Sequence, residues 1–468
     1  MKTRNVDVAV IGAGSAGMRA FRAASAYTGN VVLIEGGQYG TTCARVGCMP
    51  SKLLIAAAEA AHAAGNSKAF GVFSSDVRID GSAVMERLRR ERDRFVGFVV
   101  DDIEAIPASR RLRGNARFLD DHRLQVGDEW IVNAFRIVIA TGSSPVVLPF
   151  LQGLGDRLVV NDDIFDWTDL PKSVAVFGPG VIGLELGQAL SRLGVRVHMF
   201  GVGGSVGPLT DPVVAGKARS SFAADFYFDP DARVDAVARR SDGATVSFRD
   251  CAGDSKVIDV DIVLAATGRK PNVAGLELGN TSLPLDERGL PVFDRKTMQI
   301  GQSHVFIAGD VNNDVPLLHE AADEGHIAGD NAGRFPQIRR GKRRSPLGIV
   351  FSDPQIAMVG RRFVDLTEGD VVIGEASFDD QGRSRVMLQN NGVLRIYANR
   401  SNGRFIGAEM FGPRAEHIGH LLAWAHQSGL TVSQMLEMPF YHPVIEEGLR
   451  TALRDADKQL RNSVLRAA

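Results

Sequence analysis

The sequence predicts an α/β fold with two βαβ units and a C-terminal α+β segment. A short apolar run leads into a glycine-rich turn at residues 6–17, and the same pattern returns at residues 174–183. A helical stretch and a second apolar run follow each turn, so we interpret both as Rossmann-type dinucleotide-binding units. Near the C-terminus, strand-like runs at 371–373 and 393–397 precede helical stretches, which is typical of an α+β domain.

Composition limits the class of protein and its partners. The chain of 468 residues should hold about three domains, and its 44% hydrophobic residues and 51 glycines fit a compact α/β protein. The net charge of −1 gives no general attraction to nucleic acid or to an anionic membrane, so we expect neither as a partner. No apolar run is long enough to span a bilayer, and the N-terminus enters a strand too early to leave room for a signal peptide. Three cysteines fit a reducing compartment, so we expect a cytoplasmic protein.

The first glycine turn contains the residues that a bound dinucleotide requires. Gly12, Gly14 and Gly17 allow a tight turn and the close approach of a pyrophosphate to the N-terminus of the next helix. Glu35 ends the following strand, where its carboxylate can accept hydrogen bonds from ribose hydroxyls. The strand, helix, strand and terminal acid together predict a dinucleotide site more specifically than the glycines alone.

The second turn predicts another dinucleotide site and has glycines at the same spacing, Gly178, Gly180 and Gly183. At the offset that leads to Glu35 in the first copy, the second copy has Gly201. No Arg or Lys lies between positions 196 and 217 to hold a 2′-phosphate. We therefore expect a modest preference for NAD, with NADP usable, and we expect Gly201→Glu to sharpen that preference.

Two cysteines, Cys43 and Cys48, lie shortly after the first unit. In an ideal helix, residues with this spacing have Cα atoms about 8–9 Å apart, whereas a disulfide needs about 4.4–6.8 Å. A bridge would need a distorted turn, which Gly47 permits, and a helix starting there would favour a thiolate. This pattern favours a redox-active pair, with two buried free thiols or half of a metal site as the alternatives. No metal site is expected, because the only other cysteine is Cys251.

Several further stretches have polar residues at informative positions. Residues 137–143 and 263–269 are apolar runs that end in glycine turns, one for each βαβ unit. Asp310 ends another apolar run and is interpreted as a ligand of a cofactor hydroxyl or as a helix cap. The basic run 339–344 is interpreted as a solvated linker, and His442 as a proton shuttle or a structural histidine.

These features divide the chain into four segments. We expect residues 1–150 and 271–345 to form the first dinucleotide-binding domain and residues 151–270 to form the second. Residues 346–468 should form the separate C-terminal domain.

Over nearly its whole length, the chain resembles the class I flavin-dependent pyridine nucleotide-disulfide oxidoreductases. The matching signatures are the two glycine turns, residues 42–52 around the cysteines, residues 140–143, 268–272 and 309–310, and His442-Pro443. The resemblance implies one Rossmann-type domain for FAD, a second for NAD or NADP, and a C-terminal α+β dimerisation domain.

The resemblance also implies which residues bind the two cofactors. The expected FAD site consists of Gly12, Gly14, Gly17, Glu35, Thr42, Lys52, Ala116, Thr141, Gly142, Ser143, Asp310 and Leu318. The expected nicotinamide site consists of Gly178, Gly180, Val181, Ile182, Gly183, Glu185 and Gly268.

The catalytic residues follow from the same resemblance. Cys43 matches the cysteine that exchanges with substrate, and Cys48 matches the one whose thiolate contacts the flavin. Lys52 and Glu185 match an ion pair beside the reactive nitrogen of the flavin. His442 matches the acid-base catalyst and Glu447 the carboxylate that orients it. In this family the C-terminal domain forms a homodimer and donates its histidine to the partner's active site.

The activity that the resemblance implies is oxidation of a dihydrolipoyl dithiol, free or on the lipoyl domain of a multienzyme complex, with hydride transfer from FAD to NAD. The alternatives are an NAD(P)H-dependent reductase of another small disulfide, similar to glutathione reductase, and a non-catalytic flavoprotein that senses nucleotides. Mercuric reductase is not favoured, since no cysteine pair ends the chain. The sequence departs from the family pattern at Arg45, Gly201 and residues 440–444, which concern the substrate mouth and the nucleotide preference.

Overall fold

The computed structural model describes residues 1–74 and 77–467, with side chains described up to residue 462. The chain divides into two compact units. The first comprises residues 1–50, 87–146 and 268–343. The second comprises residues 51–86, 147–267 and 344–468.

Both units contain helices and strands. The helices are α1 (Ser15–Ser25), α2 (Thr42–Val46), α3 (Cys48–Asn66), α4 (Gly81–Glu104), α5 (Asn161–Ile164), α6 (Val181–Arg192), α7 (Pro212–Asp225), α8 (Leu318–Arg334), α9 (Gly382–Val386), α10 (Ala415–Ser428), α11 (Val432–Leu436) and α12 (Glu447–Ala467). The strands are β1 (Lys2–Ile11), β2 (Val31–Glu35), β3 (Arg111–Arg113), β4 (Ala116–Phe118), β5 (Arg123–Val126), β6 (Trp130–Ile139), β7 (Ser143–Pro145), β8 (Leu158–Val160), β9 (Ser173–Phe177), β10 (Arg196–Phe200), β11 (Tyr227–Asp229), β12 (Arg233–Arg239), β13 (Ala244–Arg249), β14 (Ser255–Val260), β15 (Ile262–Ala265), β16 (Arg269–Pro271), β17 (Val305–Ile307), β18 (Leu347–Val350), β19 (Gln355–Gly360), β20 (Val371–Ser377), β21 (Val393–Asn399) and β22 (Phe405–Gly412).

The first unit is built on a sheet with the strand order β3-β2-β1-β6-β5-β4, and β17 also pairs with β6. Strand β1 runs parallel to β2 and β6, and its side chains alternate between two buried faces. Val8 and Val10 pack in one core with residues of α1 and α8, whereas Ala9 and Ile11 pack in the core on the opposite face. The parallel strands β1, β2, β6 and β17 end at one edge of the sheet. That edge is where open α/β sheets bind ligands.

The second unit contains a parallel sheet with the order β11-β10-β9-β15-β8 and two antiparallel sheets. One antiparallel sheet has the order β12-β13-β14, and the other has the order β18-β19-β22-β21-β20. Helices α10 and α12 share a hydrophobic core with the latter sheet through residues such as Ile418, Leu422 and Leu453. This arrangement confirms the predicted α/β class with a C-terminal α+β part. The division into three domains, the first of which comprises two segments, stays a prediction.

The interpretation of residues 339–344 as a solvated linker holds for the exposed side chains of Arg339, Arg340, Lys342 and Arg344, but it is wrong for Arg343. The Arg343 guanidinium lies 2.7 Å from the Glu320 carboxylate and 2.9 Å from that of Glu324. Both acids are buried. Upstream, Arg339 donates its backbone N–H to the Asn331 side chain at 2.8 Å. The run is therefore fastened to the first unit, and Arg343 neutralises buried carboxylates there.

Among the helices that the structure describes, none combines the length and the apolar character needed to cross a membrane.

Candidate functional site

The first glycine turn, between β1 and α1, has the geometry expected of a dinucleotide cradle. Gly12 has φ +105°, and a Cβ there would lie 2.3 Å from the Ala140 carbonyl oxygen. A Cβ on Gly17 would lie 1.8 Å from the Gly12 carbonyl oxygen, so both positions require glycine. Gly14, in contrast, has open space where its Cβ would be, which leaves its backbone accessible to a pyrophosphate. The residues present therefore fit a bound dinucleotide.

Glu35 closes the same site from the end of β2. Its carboxylate accepts the backbone N–H of Ala13 at 2.7 Å and that of Gly37 at 2.7 Å. These bonds hold the acid at the end of the strand, beside the glycine turn. The position is the one from which a carboxylate binds adenosine ribose hydroxyls in such folds.

Polar contacts in the first unit involve three more of the predicted residues. The Ser143 hydroxyl donates to Asp310 Oδ2 at 2.7 Å and accepts from Arg269 Nε at 2.9 Å. The Thr141 hydroxyl donates to the Asn272 carbonyl at 2.7 Å. Asp310 therefore has a side-chain partner of its own and is held in place beyond the end of β17. Sequence reasoning did not assign a role to Arg269, although it lies within one of the matching signatures.

Glu324 holds the turn that carries Asp310. Its Oε2 accepts the backbone N–H of Gly309 at 2.8 Å and the Asn312 side-chain amide at 2.7 Å. Burial raises the pKa of Glu324, while the Gly309 bond and the Arg343 guanidinium act in the opposite direction. No sequence pattern indicated this residue, because both partners lie in a turn that is 12 to 15 residues earlier in the chain and outside α8.

The remaining predicted flavin-site residues lie at the starts of elements or in turns. Thr42 begins α2, Ala116 begins β4 as a buried residue, and Leu318 begins α8 with 47% of its surface exposed. Gly142 has φ +70° and open space around its Cβ position.

The second glycine turn repeats the geometry of the first. Gly178 has φ +108°, and a Cβ there would lie 2.3 Å from the Ala266 carbonyl oxygen. A Cβ on Gly183 would lie 1.9 Å from the Gly178 carbonyl oxygen, while Gly180 has open space. Val181 and Ile182 are the first residues of α6. Gly268, with φ +103°, accepts the Val146 N–H at 2.9 Å.

The register of the second copy confirms that Gly201 follows β10 where Glu35 ends β2. The expectation for Gly201→Glu, however, is wrong. A Cβ on Gly201 would lie 2.6 Å from Pro179 Cγ and 2.7 Å from the Pro230 carbonyl oxygen, so no side chain fits without displacing backbone. A glutamate at this position should distort the site instead of sharpening its preference.

Lys52 and Glu185 form the predicted ion pair within the second unit. Lys52 Nζ lies 2.7 Å from Glu185 Oε2 and 2.9 Å from Oε1. Glu185 is 5% exposed, and its Oε1 also accepts the Phe351 backbone N–H at 3.0 Å. The lysine ammonium lies 4.4 Å from the centre of the Phe351 ring. The buried Glu185 carboxylate therefore has an ammonium and a backbone N–H as hydrogen-bond partners.

The cysteines lie on either side of a helix break. Helix α2 ends at Val46, and α3 begins at Cys48. Between them Gly47 has φ −132° and ψ −119°, which is not helical. A Cβ on Gly47 would lie 3.2 Å from the Cys43 Cα atom. Cys48 is exposed at the positive end of a 19-residue helix, which favours its thiolate.

His442 and Glu447 pair within the second unit. His442 Nδ1 lies 3.1 Å from Glu447 Oε2 and 3.2 Å from Oε1. The hydrogen bond from His442 lowers the pKa of Glu447, and the Val444 N–H at 3.4 Å acts in the same direction. The His442 side chain is 80% exposed, so the edge with Nε2 is open to a reactant.

The structure thus brings six of the predicted residues together as three hydrogen-bonded pairs. Ser143 lies with Asp310, Lys52 with Glu185, and His442 with Glu447. The cysteines belong to the first unit and the histidine to the second.

Comparisons with known proteins cover nearly the whole chain. Residues 6–325 match the family model described as pyridine nucleotide-disulphide oxidoreductase, and residues 347–453 match that of its dimerisation domain. A dihydrolipoyl dehydrogenase from Haloferax volcanii is 30% identical, covering 96% of this chain and 96% of the relative. A mercuric reductase from Staphylococcus aureus is 28% identical, covering 97% of this chain and 83% of the relative. The structure of LpdA from Mycobacterium tuberculosis is 24% identical, with a TM-score of 0.82, and covers 96% of this chain and 99% of that chain. The chain therefore belongs to the pyridine nucleotide-disulphide oxidoreductase family and is an FAD-dependent disulfide oxidoreductase that uses a nicotinamide nucleotide.

Proposed function

We propose that this protein oxidises a dihydrolipoyl dithiol and passes the electrons to NAD, with a Cys43–Cys48 disulfide as the intermediate acceptor. Dihydrolipoyl dehydrogenases are among its relatives, and the Haloferax protein aligns over nearly the full length of both chains. The observation that carries the chemistry is the His442–Glu447 pair, because a carboxylate on Nδ1 leaves Nε2 as the proton acceptor.

The exchange with substrate needs one base and two cysteines. His442 takes the proton of one substrate thiol, and the resulting thiolate attacks Cys43 Sγ. The bond between Cys43 and Cys48 breaks, and Cys48 leaves as a thiolate. The second substrate thiol gives its proton to solvent and displaces Cys43 from the mixed disulfide as a thiolate, to which the protonated His442 returns the first proton. The products are the substrate disulfide and two reduced cysteines, so two electrons have entered the protein.

Residues of the expected flavin site favour transfer of these two electrons from the reduced cysteines to the flavin. The start of α3 stabilises the Cys48 thiolate, and Lys52 places a positive charge that Glu185 fixes in position. FAD, when bound, supplies the step that accepts the electron pair and delivers a hydride to the nicotinamide. The first glycine turn with Glu35, Ser143 and Asp310 would hold the FAD, and the second turn would hold the nucleotide.

We infer further that the protein acts as a homodimer in which His442 of the partner subunit completes each active site. The match to the family's dimerisation domain supports this arrangement. The exposed side chains of Trp424 and Tyr441, at 67% and 80%, lie in the same C-terminal part as His442 and are suited to contact with a second copy. The dithiol could be free or carried on a lipoyl domain. The low cysteine content supports a cytoplasmic location.

The proposal is tested by purifying the holoenzyme and measuring NADH formation from dihydrolipoamide and NAD. Glutathione disulfide with NADH or NADPH, and mercuric ion with either nucleotide, serve as competing substrates. A kcat/KM for dihydrolipoamide above those of the other substrates supports the assignment, and a larger value for another substrate replaces it.

Subunit mixing tests the shared active site. A Cys43→Ser subunit and a His442→Ala subunit are each expected to be inactive, and their verified heterodimer should recover one working site. Heterodimers without activity would show that His442 acts within its own chain or has no catalytic role.

A further inference from the structure

The two glycine turns can be compared residue by residue, because the same backbone bond fixes their register. The Gly12 N–H donates to the Ile34 carbonyl at 2.8 Å, and the Gly178 N–H donates to the Phe200 carbonyl at 2.8 Å. The residues that follow β2 therefore correspond to those that follow β10. Gly37 in the first copy has its equivalent in Gly203 of the second.

These two equivalent amides both donate to a carboxylate. In the first copy the Gly37 N–H donates to Glu35 Oε1 at 2.7 Å. In the second copy the Gly203 N–H donates to Asp231 Oδ1 at 2.8 Å. A carboxylate is thus present at the second site, although Gly201 provides none. It comes from the loop after β11, the strand that pairs in parallel with β10.

The second copy lacks the acid at position 201 and also lacks the other backbone N–H that binds the acid in the first copy. Ala13 donates its N–H to Glu35 in the first copy, and the equivalent residue in the second copy is Pro179, which has no N–H. A carboxylate on residue 201 would lack that donor and would also collide with Pro179. These two features explain why the carboxylate at the second site comes from the loop after β11 and not from residue 201.

The loop that carries Asp231 is held firmly against the end of β10. The Gly201 N–H donates to the Asp229 carbonyl at 2.8 Å, and the Ala232 N–H donates to the Gly201 carbonyl at 2.9 Å. The Asp231 N–H donates to Asp229 Oδ1 at 3.1 Å. Asp231 is itself exposed, so its carboxylate remains accessible to a ligand.

A cation lies at the same loop. Arg219, on α7, donates from Nη2 to the Gly204 carbonyl at 2.8 Å and is exposed. Arg219 lies just beyond positions 196–217, between which the sequence has no Arg or Lys.

We propose that Asp231 is the specificity-determining acid of the second dinucleotide site, where it binds the adenosine ribose of NAD and disfavours the 2′-phosphate of NADP. The inference rests on the proposed function in one respect, namely that this turn binds the nicotinamide nucleotide. Arg219 is then the reason why NADP still binds, more weakly.

The test compares the dissociation constants of NADH and NADPH by nicotinamide fluorescence titration of the holoenzyme, with kcat/KM as a second readout. Wild type should bind NADH more tightly. In Asp231→Asn, the preference for NADH over NADPH should fall by about tenfold to a hundredfold, the range that one charge-assisted hydrogen bond supplies. Asp231→Glu keeps the charge and should retain most of the preference. Asp242→Asn, which removes an exposed acid paired with Arg240, is the matched control and should leave the preference unchanged.

The outcomes separate the two levels of inference. Wild type that binds neither nucleotide contradicts the proposed function and not merely the role of Asp231. A wild-type preference for NADPH, or a change in preference of less than fivefold in Asp231→Asn, overturns the proposal. A larger fall supports it when FAD content and far-UV circular dichroism match wild type. If Asp231→Asn is misfolded, Asp231→Ser is measured against the same threshold.

Discussion

Replacing Glu324 by glutamine should loosen the Gly309 turn and with it the position of Asp310. Glu324 Oε2 accepts both Gly309 N–H and the Asn312 amide, while its Oε1 faces Arg343 at 2.9 Å. A glutamine amide must point its NH₂ group at one of these donors in either orientation. The variant therefore cannot reproduce the wild-type contacts by a rotation of the side chain.

The size of the effect follows from the two bonds to Oε2. A hydrogen bond to a charged acceptor is worth about 1.5–3 kcal/mol and a neutral one about 0.5–1.5 kcal/mol. Replacing two bonds to a charged acceptor by two bonds to a neutral one costs about 2–3 kcal/mol. This free energy corresponds to an increase of about 30- to 150-fold in the equilibrium constant for opening the turn. Hydrogen exchange of the Gly309 amide measures this opening directly in the apoprotein, without any cofactor.

The control for this experiment is Glu320→Gln. Glu320 is also buried and also pairs with Arg343, at 2.7 Å, but Glu324 and not Glu320 binds the turn. Exchange should be measured at pH 8, because burial raises the pKa of Glu324 and ionisation is more complete there. Gly309 exchange should accelerate at least tenfold more in Glu324→Gln than in Glu320→Gln. Equal rates in the two variants would mean that the turn is held by other contacts.

Three further results are expected. Mild reduction of the wild-type protein should expose two additional thiols per chain in a thiol titration, and neither Cys43→Ser nor Cys48→Ser should show this gain; an unchanged wild-type count would exclude the disulfide. Gly47→Ala should lower thermal stability by the equivalent of about 1–3 kcal/mol, since the added Cβ would lie 3.0 Å from a backbone oxygen of α2, and an unchanged melting temperature would show that the turn relaxes freely. The pairing with His442 lowers the folded-state pKa of Glu447. The extra stability of wild type over Glu447→Gln should therefore be present above pH 4.5, the ordinary pKa, and be lost as the pH falls through the lowered pKa. A stability difference that grows in acid would contradict this prediction.

The features that depend on short stretches of the chain could be predicted from the sequence. Spacing alone located both glycine turns and showed that Gly201 takes the place of an acid. A bridge between the cysteines would need a distorted turn, and the structure has a helix break at Gly47. These predictions succeed because each depends on a few consecutive residues and on fixed helix geometry.

The contacts that join distant segments could not be predicted in this way. Asp231 reaches the second turn only because β11 pairs with β10, and its contact with Gly203 spans 28 residues of the sequence. Arg343 was misread for the same reason, since its buried partners Glu320 and Glu324 lie about twenty residues earlier, on α8. The sequence shows how many charged residues a run contains. Whether their side chains are solvated depends on contacts with distant segments of the chain.

The fastening of residues 339–344 bears on how this protein should respond to proteases. Five cationic residues in six positions would normally be an early target for trypsin, which needs an extended and mobile backbone. Here the Asn331 side chain bonds both the N–H and the carbonyl of Arg339, each at 2.8 Å. The Gly341 N–H donates to the Lys296 carbonyl at 2.7 Å. Cleavage in this run should therefore require that the segment first detach, so its rate would report how often the first unit releases the segment that leads to the C-terminal part of the chain.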